Sequence, residues 1–271
     1  MKANGKVIVV TGGGNGIGRA VVLNLLHRGA IVAAADISEA GLEETKKIAR
    51  DFADKLSLHV VDLAKKEQVE KLLKDVQETH KAVDGFINVA GVIQPFIKVN
   101  DLSYEKIEWV MNINFYGTLY MVKSFLPALL KREEAHIVNV SSMGGFVPVP
   151  GQTIYGASKA AVKLLTEGLH SELQGTNVHV TVVFPGGVAT DISKNSGADN
   201  RKQNSDDQSK KQSKMKLLTP EQCAEIIVRG MEKNKYRVVA GKDAKMLDKL
   251  SRMAPKKAAN IIAKKLASIL D

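Results

Sequence analysis

The pattern that most constrains this chain is a recurring pair. A short unbroken apolar run stops at a glycine, acid, amide or serine, and a stretch with apolar residues at helical spacing follows. Residues 6–10 stop at Thr11-Gly12-Gly13-Gly14, and residues 19–28 then carry Val21, Val22, Leu25 and Leu26 along one helical face. Later apolar runs end at Asp36, at Asp62, at Ala90-Gly91, at Ser141-Ser142 and at Pro185-Gly186. Helices are expected over 39–52, 66–80, 103–130 and 155–173, and a late strand over 236–240. Strands with no polar alternation are covered on both faces, so the chain reads as α/β: a doubly wound parallel sheet with helices on both sides, in one domain.

Ligands of such sheets bind outside the carboxyl ends of the strands. The first turn is the most informative. Strict Gly-x-Gly-x-x-Gly spacing is absent; what stands is Thr11-Gly12, three residues, then Gly16-Ile17-Gly18. Residues without a Cβ let backbone amides approach a pyrophosphate, and the helix that follows turns its partial positive end to the same group, with Asn15 in the loop. The turn therefore reads as the phosphate turn of a Rossmann-like fold, the alternative being a plain structural loop. Asp36 ends the second strand 18 residues after Gly18, placed to accept from adenosine ribose hydroxyls or simply to cap the next helix. A 2′-phosphate there would meet its negative charge, and neither Asn15 nor Ile37 supplies a cation. NAD is therefore favoured over NADP. Asp62, with Leu63 beside it, is a candidate for the adenine end or a plain turn residue.

Tyr155 and Lys159 stand four apart and share a helix face. A phenol ionises near 10 and is a poor base at neutral pH, whereas a neighbouring ammonium favours the phenolate; the expectation is a tyrosine pulled toward the working range. The pair alone is common by chance. Ser142 lies 13 residues earlier at a strand end, where its hydroxyl can hold a substrate oxygen whose charge changes. Ser141, its neighbour, should face the other way.

Thr11-Gly-Gly-Gly-Asn-Gly-Ile-Gly18, Asn88-Val-Ala-Gly91, Asn114 in Asn-Phe-Tyr-Gly-Thr, Ser142, Tyr155-Gly-Ala-Ser-Lys159 and Pro185-Gly-Gly-Val-Ala-Thr190 occur in the order and spacing of the short-chain dehydrogenase/reductase family, which the chain resembles over about residues 5–190. The resemblance implies a general acid or base at Tyr155. It implies that Lys159 lowers the pKa of Tyr155 and binds the nicotinamide ribose, and that Ser142 orients the substrate oxygen. Asn114 would hold a helix kink and a water on the proton's path. Asn88, Ala90 and Gly91 would line the cofactor, and Pro185, Gly186, Val188 and Thr190 would contact its nicotinamide end. The family's more usual Asn-Asn-Ala-Gly is here Asn88-Val89-Ala90-Gly91. The resemblance also implies a homodimer or homotetramer.

Two segments break the rhythm. Residues 193–216 are almost purely polar, unable to bury enough to order alone, and fall where the family has its substrate-side loop. Residues 243–271 read as basic amphipathic helices, split at Pro255, beyond a catalytic domain of 1–242. The formal charge is +10, yet residues 1–190 hold 20 Lys/Arg against 19 Asp/Glu, and residues 191–271 hold 19 against 10. The basic excess thus belongs to the C-terminal third, and within it the tail's stripe of Leu247, Leu250, Ile261, Ile262, Leu266 and Ile269 covers its own chain, a partner or an anionic membrane, the last being the less favoured. No aromatic-interleaved basic surface points to nucleic acid, and the six histidines lack metal-ligand spacing. One cysteine, Cys223, and no signal or membrane-spanning pattern give the expectation of a cytoplasmic protein.

The working expectation is hydride transfer between NAD and a secondary alcohol or ketone. Phe146 to Pro150, Ile93, Pro95 and Phe96 suggest an apolar substrate unless they pack against the protein itself. Two alternatives are an idle nucleotide-binding regulator and a membrane-peripheral protein acting through its tail.

Overall fold

In the computed structural model, which describes residues 1–198 and 217–270 with side chains in the last helix as far as 264, each apolar run becomes a strand. These are β1 (Val7–Thr11), β2 (Ile31–Asp36), β3 (Leu56–Val60), β4 (Gly85–Asn88), β5 (Ala135–Val140), β6 (Val178–Pro185) and β7 (Arg237–Ala240). They form one sheet in the order β3-β2-β1-β4-β5-β6-β7, and every pairing is parallel. Alternate side chains of a strand leave opposite faces, so Ile8 and Val10 enter one core and Val7 and Val9 the other.

The first face is covered by α1 (Gly16–His27) and α8 (Pro220–Glu232), which bring Val22, Leu25, Leu26, Ile227 and Val228 onto Ile8, Val32 and Val183. On the second lie α3 (Lys66–His80), α5 (Gly117–Leu129) and α6 (Thr153–Glu172), where Leu72, Phe125 and Leu169 meet Phe86 and Ile137. Burial on both faces explains why the strands carry almost no polar alternation. Side-chain caps set several helix starts: Ser38 opens α2 (Glu39–Ala49), Ser103 opens α4 (Tyr104–Met111), and Thr219 with Gln222 forms a full capping box before Pro220.

The helix expected over 103–130 is not continuous. Between α4 and α5, residues Asn112–Tyr116 form a π-helical turn, which breaks the regular ladder. The catalytic-side helix α6 begins at Thr153 rather than at Tyr155, placing that tyrosine third in the helix. After β6, the short helix α7 (Ile192–Asn195) leads to Ser196 and Ala198, both buried. The beginning of the polar segment is therefore ordered, because Ser196 Oγ accepts from Ile93 N–H at 3.1 Å and Lys106 donates to the Ser196 carbonyl at 3.4 Å. Residues 199–216 of that segment lie outside the described residues.

The tail forms α9 (Lys242–Met253) and α10 (Pro255–Leu270). Leu247 and Ile262 are buried with Val147, so part of the expected stripe covers the chain itself. Lys249, Lys256, Lys257 and Lys264 stay exposed. Asp248 is bound to Arg237 of β7 and to Arg252, and Arg237 also pairs with Glu167 of α6 at 3.3 Å. The Arg237 guanidinium lies 4.2 Å from the ring centroid of Phe184 and 5.8 Å from that of Phe146. No helix among the described residues is long and apolar enough to cross a membrane.

Candidate active site

Strand order reverses between β1 and β4, where chain connections leave in opposite directions and a crevice opens at the carboxyl edge. Parallel register brings Thr11 level with Ala35 and with Asn88, and Asn88 level with Asn139. The glycine turn, Asp36, the Asn88–Gly91 segment, Ser142 and Pro185 are thus gathered along one edge of the sheet.

Tyr155 and Lys159 share one face of α6, with the Lys159 Nζ 6.0 Å from the centre of the tyrosine ring. Lys159 is only 4% exposed and donates to the Val140 carbonyl at 3.1 Å. Gly91 is close against it: a Cβ there would stand 2.9 Å from Nζ and 3.2 Å from Asn114 Oδ1, so a side chain at this position would displace the end of the lysine. Burial lowers the Lys159 ammonium from 10.5 to about 8. Burial also raises the Tyr155 phenol above its ordinary value, opposed by the hydrogen bond from the Ser142 side. This reverses the direction expected from the sequence. Desolvation outweighs the ammonium, whose proton is directed at a backbone carbonyl, and the phenol of the protein alone stays protonated at neutral pH. Ser142 Oγ also accepts from Gly144 N–H at 3.1 Å, which fixes the serine at the start of a 3-10 turn, while Ser141 faces away and donates to the Lys159 carbonyl at 2.7 Å.

Asn114 sits in the π turn, fully buried. Its Oδ1 accepts from Val92 N–H at 2.8 Å, and its Nδ2 donates to the Val92 carbonyl and to Ser158 Oγ, both at 2.9 Å. One amide thereby joins the β4–α4 loop, the kinked helix and α6. Asn88 is turned inward: its Nδ2 donates to Asn139 Oδ1 at 2.9 Å, and Asn139 in turn donates to Thr166. What it offers the edge is backbone, not its amide.

The glycine turn has the shape of a cradle. A Cβ at Gly18 would collide with the Gly12 carbonyl, and Gly12 and Gly16 hold φ of +72° and +51°. Asn15 caps α1 by accepting from Gly16 N–H, which leaves the amides of Ile17 and Gly18 in a first turn without intrahelical acceptors. Gly16 faces Thr190, where a Cβ would approach its Cγ2 at 3.4 Å, closing the edge between the turn and the residues after β6. Asp36 Oδ2 accepts from Gly14 N–H and Oδ1 from Ser38 N–H, both at 2.9 Å, so each oxygen retains an acceptor site. Asp62 Oδ1 accepts from Ala64 N–H, and Leu63 packs against Gly117. The set fits a dinucleotide: small residues and unpaired amides for a pyrophosphate, and a carboxylate 18 residues beyond for a ribose.

Four contributors were not visible in the sequence. Arg19 is a cation close to Asp36 that lies four residues beyond the position inspected; it donates to Gly14 O, Gly41 O and Thr45 Oγ1. Gln94 and Gln152 are buried beside Tyr155. Asp243, at the start of α9, accepts from Gly187 N–H at 2.8 Å and so binds the tail to the turn after β6. The glutamines carry no motif, and Asp243 lies 56 residues from its partner. Among the described residues no group of three or more His, Cys, Asp or Glu could hold a metal.

The family model for short chain dehydrogenases matches residues 6–201, so the chain belongs to the short-chain dehydrogenase/reductase family. It is an oxidoreductase acting on CH–OH groups. SadH of Mycobacterium tuberculosis, described as an oxidoreductase, is 34% identical over 251 residues, which are 92% of this chain and 91% of that one. A short chain dehydrogenase/reductase from Burkholderia phymatum, solved with NAD, superposes with a TM-score of 0.83 at 26% identity, over 94% of this chain and 96% of that one. A short chain dehydrogenase from Burkholderia cenocepacia, solved with NADP, gives 0.77 at 25% identity, over 97% and 99%.

Proposed function

We propose that the chain catalyses reversible hydride transfer between NAD and an apolar secondary alcohol or ketone, with Tyr155 as general acid and base. The observation that carries this reading is the group formed by the Tyr155 phenol, the Ser142 hydroxyl and the buried Lys159 beside the glycine turn. The bound dinucleotide would supply the hydride acceptor or donor. Gly12, Asn15, Gly16, Ile17 and Gly18 would hold its pyrophosphate, Asp36 its adenosine ribose, and Asp62 and Leu63 its adenine. Asn88, Ala90 and Gly91 would line it by backbone, with Lys159 and Tyr155 at the nicotinamide ribose and Pro185, Gly186, Val188 and Thr190 at the nicotinamide.

In the reducing direction the protonated phenol gives its proton at Oη to the substrate oxygen; in the oxidising direction the phenolate receives it. Ser142 Oγ donates to the same oxygen and holds it as its charge changes. Asn114 keeps the π turn, and through it Val92 and Ser158, in register with α6. NAD is favoured because the Asp36 carboxylate would face a 2′-phosphate, while Nε and Nη2 of Arg19 are engaged with Thr45, Gly14 and Gly41. Support for an apolar substrate comes from the half-buried Pro95 and Phe96, whereas Ile93, Val147 and Val149 are taken up in packing.

Tyr155→Phe should lower turnover by roughly 10²–10⁴ while NADH still binds, measured by absorbance and fluorescence titration; equal activity would sink the mechanism. Asp36→Ala should weaken NAD more than NADP, and an unchanged ratio of affinities would remove the cofactor argument.

A further inference from the structure

The helix that carries Tyr155 is not capped by its own sequence. Gln152 occupies the N-cap position, but its side chain makes no capping bond. Its Nε2 reaches instead to the Gln94 carbonyl at 2.7 Å. The cap comes from Gln94, in the loop after β4. Gln94 is fully buried, and its Oε1 accepts from Ile154 N–H at 2.9 Å and from Tyr155 N–H at 3.1 Å. Its Nε2 donates to the Gly151 carbonyl at 3.0 Å. Two donors on one end and a carbonyl on the other fix which way the amide points. The amide therefore satisfies two of the orphan donors of a helix first turn, a role normally filled by a short side chain directly before the helix.

We propose that Gln94 is a positioning residue for Tyr155: by capping α6 from a different loop, it fixes the turn on which the tyrosine stands and hence the meeting of its phenol with Ser142. The proposal rests on Tyr155 being the acid–base group. Its geometric basis is that one of the two captured amides belongs to Tyr155 itself, so loss of the cap loosens the residue at its own backbone. The same loop continues into Pro95 and Phe96, so residues proposed to line the substrate space and the tyrosine share one rigid joint.

The one charged group near the phenol among the described residues is Lys159 on its own helix, 6.0 Å from the ring centre, and the hydrogen-bonding group is the neutral Ser142 after β5; Gln94 and Asn114, on the other packed elements, are neutral amides. A weaker Ser142 contact would leave the rise caused by burial less opposed, so the tyrosine should titrate higher.

The test uses the full chain without cofactor. The ionisation of Tyr155 alone is read as the difference in phenolate absorbance between a protein and the same protein carrying Tyr155→Phe. Gln94→Met keeps length and volume and removes every polar atom; Gln94→Asn keeps the amide but is one methylene short. Each should raise the Tyr155 titration by about half a pH unit or more. Reduction of a series of 2-alkanones with NADH should lose about tenfold or more in kcat, with KM for NADH within about twofold. Gln94→Glu, whose carboxyl reproduces both the donor to Gly151 and the acceptor for Ile154 and Tyr155 only when protonated, should recover turnover relative to Gln94→Met as the pH is lowered. If either folded variant titrates at Tyr155 as the parent does, or if Gln94→Glu shows no recovery relative to Gln94→Met at lower pH, the proposal is overturned. Should Gln94→Met not fold, Gln94→Asn decides by the same criteria. Turnover retained by Tyr155→Phe would instead refute the assignment of Tyr155, a separate failure.

Discussion

Lys159 is where the site and the stability of the fold should oppose one another. Its ammonium is 4% exposed and, among the described residues, has one hydrogen-bond acceptor, the Val140 carbonyl, and no carboxylate bound to it. The fall from 10.5 to about 8 corresponds to a preference for the neutral amine of ~3 kcal/mol, which at neutral pH is a cost to the folded state. Lys159→Met preserves the length of the chain and removes the charge. It also removes the bond to Val140, worth ~1 kcal/mol, so the net gain is ~2 kcal/mol. For a protein of this size that is roughly 4–8 °C in Tm.

The sign of the pH dependence follows from the lowered value. Below about pH 8 the wild-type lysine is protonated both folded and unfolded, and the variant keeps its full advantage. Between about 8 and 10.5 the unfolded wild type binds more protons than the folded form, so wild-type stability rises with pH and the gap closes. Thermal melts of both proteins, without cofactor, at pH 7 and near pH 10.5 would measure this. A variant no more stable than wild type at pH 7, or a gap of equal size at both pH values, would refute the reasoning. The same substitution should abolish turnover.

Two further substitutions test the architecture around the cofactor edge. Gly18→Ala would drive a methyl group into the Gly12 carbonyl, so the turn must open; a loss of about 1–3 kcal/mol in stability and of about tenfold or more in NADH affinity is expected from melts and fluorescence titration, and an unchanged affinity would contradict the cradle. Asp243→Ala leaves the Gly187 N–H without its acceptor, at a cost of about 1–3 kcal/mol. NADH binding should weaken with it, and unaltered binding would show that α9 does not support the turn after β6.

The strands and most helices were legible in the sequence because their cause is local: β-branched runs and helical spacing. The proposed catalytic group could be picked out because its members keep fixed separations, Ser142 thirteen residues before Tyr155 and Lys159 four after it. What escaped depends on partners far apart in the chain. A kink at Asn114 was implied by the family resemblance alone; the bonds from Asn114 to Val92 and Ser158 that accompany the π turn, 22 and 44 residues away, are contained in no helical periodicity. Arg19 folds back over Gly14 toward the strand end at Asp36, and inspection of residues 15 and 37 alone missed it. The tyrosine's titration turned on burial, a tertiary quantity, whereas the sequence offered only its distance to a charge.

The residues on either side of the undescribed stretch are themselves held fast. Ser196 is bonded to Ile93, and on the far side Leu218 donates to the Gly187 carbonyl and accepts from Ala189 N–H, forming a bridge with Val188. Both anchor points therefore belong to the walls of the site and not to the stretch between them. A substitution at Ser196 or Leu218 should therefore be felt at Ile93 and Val188 directly, through a bond to backbone in each case, and the two anchors are as much a part of the strand-edge scaffold as the glycine turn opposite them.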